Sequence, residues 1–238
     1  MVSRVTGAFL LLAVWTAPDV RAQDDRYIND LRKHAKKGDV AAQYKLGLAY
    51  ADAYRVKRDY TLAVEWLAKA GQQGHAKAQL FLGKMYYTGL SVEKSYGQAA
   101  DWLEKAAENG DPEAQSLTGN LYNNGEGRPQ DFGKAVYWYR AAAEQGDAKA
   151  QYNLGVLYHN GEGVEQDVVQ ALKWISLAAA NPPVEYPKEY GWAREDLEKL
   201  LRPQEREQAR ALIEQWQPKS WAQVREEGAV TVVAEKAP

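Results

Sequence analysis

The chain has 238 residues, with 30 Lys and Arg against 32 Asp and Glu, a net charge of −2, and 45% apolar residues. That balance is ordinary for a folded domain and offers no basic field to nucleic acid or anionic lipid. Cysteine is absent, which excludes disulfides, zinc–thiolate centres and a thiol nucleophile.

Residues 1–22 have the layout of a cleavable signal peptide. "MVSR" supplies a positive start, "VTGAFLLLAVW" an apolar stretch of 11 residues, and Val20 and Ala22 sit at the −3 and −1 positions of a cut before Gln23. The apolar stretch is too short for a stable membrane span. The expectation is a mature chain that begins at Gln23 and works in the periplasm or is secreted. Residues 23–37 then form a helical N-terminal cap, with Leu31 in the column of Leu67.

From 38 to 181 four segments (38–73, 74–109, 110–145 and 146–181) align without a gap at a period of 36. Gly38, Gly74, Gly110 and Gly146 mark the joints. Ala42, Ala78, Ala114 and Ala150 form one column, with Gln43, Gln79, Gln115 and Gln151 beside it. Two further columns are Tyr50, Tyr86, Tyr122, Tyr158 and Trp66, Trp102, Trp138, Trp174. Regular repetition at this period signals a solenoid, in which no unit buries its apolar face without its neighbours.

Each unit predicts two helices. Ala42, Leu46 and Tyr50 fall on one face of the first; Ala63, Trp66 and Ala70 fall on one face of the second. Asp39, Asp111 and Asp147 suit N-caps, with Pro112 at N1. Gly47, Gly83, Gly119 and Gly155 recur inside the first helix, where glycine costs ~1 kcal/mol against alanine. Their shared register predicts close approach of the partner helix, with Trp and Tyr filling the space nearby. Residues 182–217 predict two capping helices, the second opened by Pro203. Residues 218–238 lack sustained periodicity and predict a mobile tail, in which "AVTVVA" (229–234) has strand character.

Little in the chain nominates chemistry. His34, His75 and His159 are scattered, so no metal site is expected. The "NGEG" segments of units three and four lack a following G-K-[ST], which makes them turns rather than phosphate cradles. No G-x-S-x-G elbow marks a nucleophile. The tryptophan column, offered as a carbohydrate-stacking ladder, falls in the core register instead. No catalytic residue, cofactor or metal is expected.

The order A-x-x-x-L-G-x-x-Y-x-x-G-x-G-V-x-x-D-x-x-x-A-x-x-W-x-x-x-A-A-x-x-G resembles the Sel1-like repeat, an α/α relative of the tetratricopeptide repeat. Unit four follows it best. Unit three has Thr118 and Arg128 at two of its positions, and unit two has Ser91 and Ser95. Unit one carries Ala53 and Arg55 for both loop glycines, which predicts a reshaped turn. The resemblance implies an all-α right-handed superhelix that binds partners, proteins or envelope components. Cysteine-rich members of the family have been described as β-lactamases or penicillin binders. Those relatives staple each repeat with a disulfide, so a hydrolase is here the alternative reading, followed by a cell-wall glycan-binding module.

Columns that agree between units serve the stack, and columns that differ are free to serve a ligand. The differing columns of the first helix share one face, which lines the concave groove in tetratricopeptide-like stacks. They place Tyr44, Leu48, Lys84, Tyr87, Asn120, Asn123, Tyr152 and His159 on the expected partner surface. Aromatic anchors among polar neighbours suit protein recognition. Glu104 and Arg140, on the second helices, are the competing contact surface. The expected function is an exported scaffold holding a protein partner in the cell envelope.

Overall fold

Two polar caps divide every repeat into a pair of helices. The computed structural model describes residues 20–90, 92–186 and 188–227, with side chains from residue 26 onward. Helix α1 (Val20–Lys36) precedes four pairs: α2 (Val40–Asp52) with α3 (Tyr60–Gln72), α4 (Ala76–Thr88) with α5 (Tyr96–Glu108), α6 (Pro112–Asn124) with α7 (Phe132–Glu144), and α8 (Ala148–Asn160) with α9 (Val168–Ala180). Helices α10 (Glu189–Leu200), α11 (Pro203–Gln215) and the short α12 (Trp221–Glu226) follow. Among the described residues there are twelve helices and no strand. Val20 belongs to α1, so that helix starts ahead of the expected cut at Ala22. Residues 1–19 and the "AVTVVA" segment lie outside the described residues.

Asp39, Asp111 and Asp147 cap the first (A) helices, accepting the N–H of Ala42, Ala114 and Ala150 at 2.7, 2.9 and 2.7 Å. In unit two His75 Nδ1 does this for Ala78 at 3.2 Å. The second (B) helices begin at Asp59, Ser95, Asp131 and Asp167, each of which accepts a backbone N–H of the first turn. Each helix from α1 to α9 packs on the next in chain order, and α9 carries both α10 and α11. The core is a line of fully buried leucines, Leu46, Leu67, Leu82, Leu103, Leu121 and Leu154.

The glycines inside the A helices do admit a close neighbour. A Cβ at Gly47, Gly83, Gly119 or Gly155 would stand 2.5–2.6 Å from Leu67, Leu103, Tyr139 or Ile175 respectively. The residue filling that space follows the tryptophan column by one position. A step of one residue turns about 100° around a helix, so the tryptophans face elsewhere. Trp174 is buried at 2% exposure, whereas Trp66, Trp102 and Trp138 are only half-buried. Lysine ammonium groups lie over three of the indoles, Lys69 on Trp66, Lys105 on Trp102 and Lys173 on Trp174, at 4.3, 4.7 and 4.0 Å. The core register expected for the whole column therefore holds fully only in unit four.

Two further expectations change. The first turn keeps the left-handed backbone without glycine: Ala53 has φ 57° and Arg55 φ 59°, beside values of 70–72° at the loop glycines of units three and four. The segment after 218 is docked as far as residue 227. Val224 is fully buried against Ala141, and Trp221 covers Gly110 so closely that a Cβ there would stand 2.3 Å from its ring. The Lys219 N–H donates to the Glu144 carbonyl at 2.8 Å, and its ammonium lies 3.5 Å from the Glu144 carboxylate.

Candidate binding surface

The A helices α2, α4, α6 and α8 stand side by side, and contacts between consecutive ones run through the columns that vary between repeats. Tyr44 stacks on His75 with ring centroids 4.3 Å apart. Lys84 Nζ meets Glu113 Oε1 at 2.6 Å, and Lys149 Nζ meets Glu185 Oε1 at 3.4 Å. Tyr152 stacks on Tyr190 of α10 at 4.3 Å and 7°. Each link joins residues about one repeat apart, so the variable face also fastens the units together.

Its centre is a chain of tyrosines and carboxamides. Asn120 Oδ1 accepts the Tyr139 hydroxyl at 2.7 Å and the Asn153 amide at 3.2 Å. Tyr139 occupies the place of Leu67 and Leu103 in earlier units, and its extra oxygen needs this partner because the residue is buried at 2% exposure. The Tyr87 hydroxyl lies beside the Asn120 carboxamide, and the Tyr87 ring packs edge-on against Tyr96 at 5.5 Å. Burial is the main cause that raises the ionisation of Tyr44, Tyr87, Tyr139 and Tyr190 above the usual phenol range. All four stay protonated at neutral pH and keep a hydrogen to donate.

The eight expected surface residues are thus placed as follows. Lys84 is exposed and ion-paired, and Leu48 packs on the cluster around Leu67 and Leu82. Tyr44, Tyr87, Asn120 and Tyr152 are half-buried and engaged with the next unit. Asn123 and His159 sit at the ends of their helices, where their carbonyls accept the amides of Gln130 and Gln166 at 2.8 and 2.6 Å. The competing pair is no open surface either. Glu104 receives Tyr122 and two nitrogens of Arg128 at 2.8–3.0 Å, while Arg140 donates to Tyr158 at 2.6 Å. With burial and the Glu104 carboxylate both opposing ionisation, the Tyr122 hydroxyl is pushed up to about 12.

Sequence reasoning found the glutamine column but not its bonds. The side chains of Gln43, Gln79, Gln115 and Gln151 donate to the carbonyls of Ala35, Gly71, Ala107 and Ala143 at 2.9–3.1 Å, across the joint to the preceding helix. Three of their oxygens accept from Gln73, Asn109 and Gln145 at 2.7–2.9 Å. The chain also holds one S-x-x-K spacing, at 91–94. Ser91 lies outside the described residues, and Lys94 precedes helix α5, which begins at Tyr96, with its Nζ 4.3 Å from the Tyr96 ring. No group of three or more His, Cys, Asp or Glu residues converges as a metal site among the described residues. Within the same limits, no helix is long and apolar enough to cross a membrane.

No curated protein matches the chain in sequence. Among solved structures it is similar to c5321, a protective antigen present in uropathogenic Escherichia coli strains displaying an SLR fold. Identity there is 33% and the TM-score 0.69, over 89% of this chain and 44% of that one, so this chain spans less than half of the relative's length. It is also similar to a Sel1 repeat protein from Oxalobacter formigenes, with 32% identity and a TM-score of 0.62, over 72% of this chain and 69% of that one. The family model described as Sel1 repeat matches residues 40–75, 76–111, 112–147 and 148–182, the same four units shifted by two residues in phase. With its helix pairs stacked in this order, the chain belongs to the Sel1-repeat family.

Proposed function

We propose that the chain is an exported scaffold that holds a protein partner of the cell envelope against its row of A helices, without catalysing a reaction. One observation carries this reading. Tyr44, Tyr87 and Tyr152 present half-buried rings on consecutive or near-consecutive units, each held by a neighbouring aromatic ring at 4.3–5.5 Å. Rings fixed in advance lose little entropy when a partner covers them, which is what makes tyrosine an effective anchor. The Asn120 and Asn153 carboxamides alongside supply polar groups able to meet a partner's backbone. The signal-like segment supports export, and the E. coli relative's description as a protective antigen is in keeping with it. Sel1 repeats are typically protein-interaction scaffolds, which supports the class of function.

One preparation tests both halves. Tagged chain recovered from a periplasmic fraction should begin at Gln23 and capture its partner from envelope extract. Tyr87→Ala should weaken that capture by ~1–3 kcal/mol beyond the stability loss that urea unfolding of the same variant records, since the ring also packs on the next unit. An intact Met1 form confined to cytosol would overturn export. Unchanged capture would remove the partner from this face, and turnover of a chromogenic β-lactam above a heat-killed control would overturn the non-catalytic reading.

A further inference from the structure

The first repeat departs from the others where its two helices join, and the departure is electrostatic. In the repeat register Lys57 aligns with Glu93, Pro129 and Glu165, and Arg58 aligns with Lys94, Gln130 and Gln166. Tyr54 stands where units three and four have Glu126 and Glu162, and Arg32 of the preceding helix matches Ala68, Glu104 and Arg140. A turn that is acidic in unit four is basic here. This turn and α1 flank an open cavity of about 530 Å³ lined by Ile28, Val56 and Leu62 together with Arg32, Lys57 and Arg58.

Among the described residues, no ion pair joins Arg32, Lys57 or Arg58 to a carboxylate. Arg32 donates Nε and Nη2 to the buried Tyr50 hydroxyl at 3.3 and 3.2 Å, and Nη1 to Asn29 at 3.2 Å. Arg58 leans on the Tyr60 ring at 5.8 Å, and Lys57 is exposed. The carboxylate on the cavity wall, Asp59, already accepts the Leu62 N–H at 3.0 Å. The turn keeps the left-handed backbone that glycines adopt at the matching positions of units three and four, here at Ala53 and Arg55. The cavity lies within the size range of small-ligand pockets. A chain of net charge −2 carries no overall positive charge to draw in nucleic acid or anionic lipid, which favours a short peptide as the occupant.

We infer that this cavity binds an acidic peptide segment, seating one apolar side chain on Ile28, Val56 and Leu62 and flanking carboxylates on Arg32, Lys57 and Arg58. The site is separate from the row of A-helix tyrosines and stands or falls without it. The test is fluorescence anisotropy on the full chain with a labelled Glu-Glu-Leu-Glu-Glu peptide. Its Gln-Gln-Leu-Gln-Gln counterpart, inorganic phosphate and phosphatidylglycerol vesicles serve as the other probes. Saturable binding of the acidic peptide alone is expected, weakening with salt. The double substitution Lys57→Glu/Arg58→Gln installs the residues that unit four carries at these positions, so the turn keeps a sequence this fold accepts. It should weaken binding by roughly tenfold or more. The single change Lys57→Gln, at an exposed side chain, should act in the same direction. The inference is overturned by the absence of saturable binding, by equal binding of the glutamine peptide, by phosphate or vesicles binding as tightly, or by full affinity in both variants.

Discussion

His75 shows how one residue sets a local response to pH. Three A helices open on aspartate, while α4 opens on an imidazole that accepts the Ala78 N–H through Nδ1 and stacks on Tyr44. Burial, assisted by Lys77, holds the ionisation of His75 below the usual histidine value of 6.5. Protonation would end the cap, because a charged ring has no nitrogen left to accept with. The sign follows. The cap's contribution is complete above the unfolded value near pH 6.5 and is lost as pH falls through the depressed folded value. His75→Asp supplies the cap used by the other units and should flatten that decline between pH 7 and pH 5, as read by urea unfolding at each pH. An identical pH slope in parent and variant would assign the loss to other groups. The aspartate caps are evident in the sequence because capping is a local rule. That His75 takes the same role is not, since histidine is an uncommon cap and only its position against the Ala78 N–H reveals it.

At the scale of helices, one position separates a core residue from a half-exposed one. Leu67, Leu103, Tyr139 and Ile175 enter the space left by the A-helix glycines, while the tryptophans just before them turn outward in the first three units. Unit four differs because α10 and α11 both pack on α9, and Trp174 falls to 2% exposure. Trp174→Ala should therefore cost ~3–5 kcal/mol, and Trp66→Ala clearly less, since large aromatic truncations reach that range only when the site is enclosed. Chemical denaturation of the two variants checks the order, and equal losses would contradict it. The period identified both helices of each unit. It did not reveal which side of the second helix faces inward, because tryptophan and its neighbour are both apolar and tertiary packing chooses between them.

Across the whole molecule, residues 219–227 return to an earlier unit. Lys219, Trp221 and Val224 lie on Glu144, Gly110 and Ala141, and the bed they use is particular to unit three. Tyr137 and Ala141 pack with Trp221 and Val224, where unit two has Asp101 and Lys105 and unit one has Glu65 and Lys69. Charged side chains at those places would have to be stripped of water, which confines α12 to this repeat. Val224→Asp should release it. Burial of one such side chain contributes ~1.5–3 kcal/mol, so hydrogen-exchange protection beneath the segment should fall about ten- to hundredfold. Unchanged protection in α7 would show that the segment does not brace the stack.

The sequence alone determined the number of repeats, the pairing of helices and three of the A-helix caps, because these follow from residues a few positions apart under rules that act locally. Tertiary structure alone decided which variable residues were already engaged. Tyr44 with His75, Asn120 with Asn153 and Tyr152 with Tyr190 are joined only when one unit is laid against the next. It also decided the fate of residues 218–227. A helix of six residues is too short to be stable by itself, so α12 owes its order to the surface of unit three.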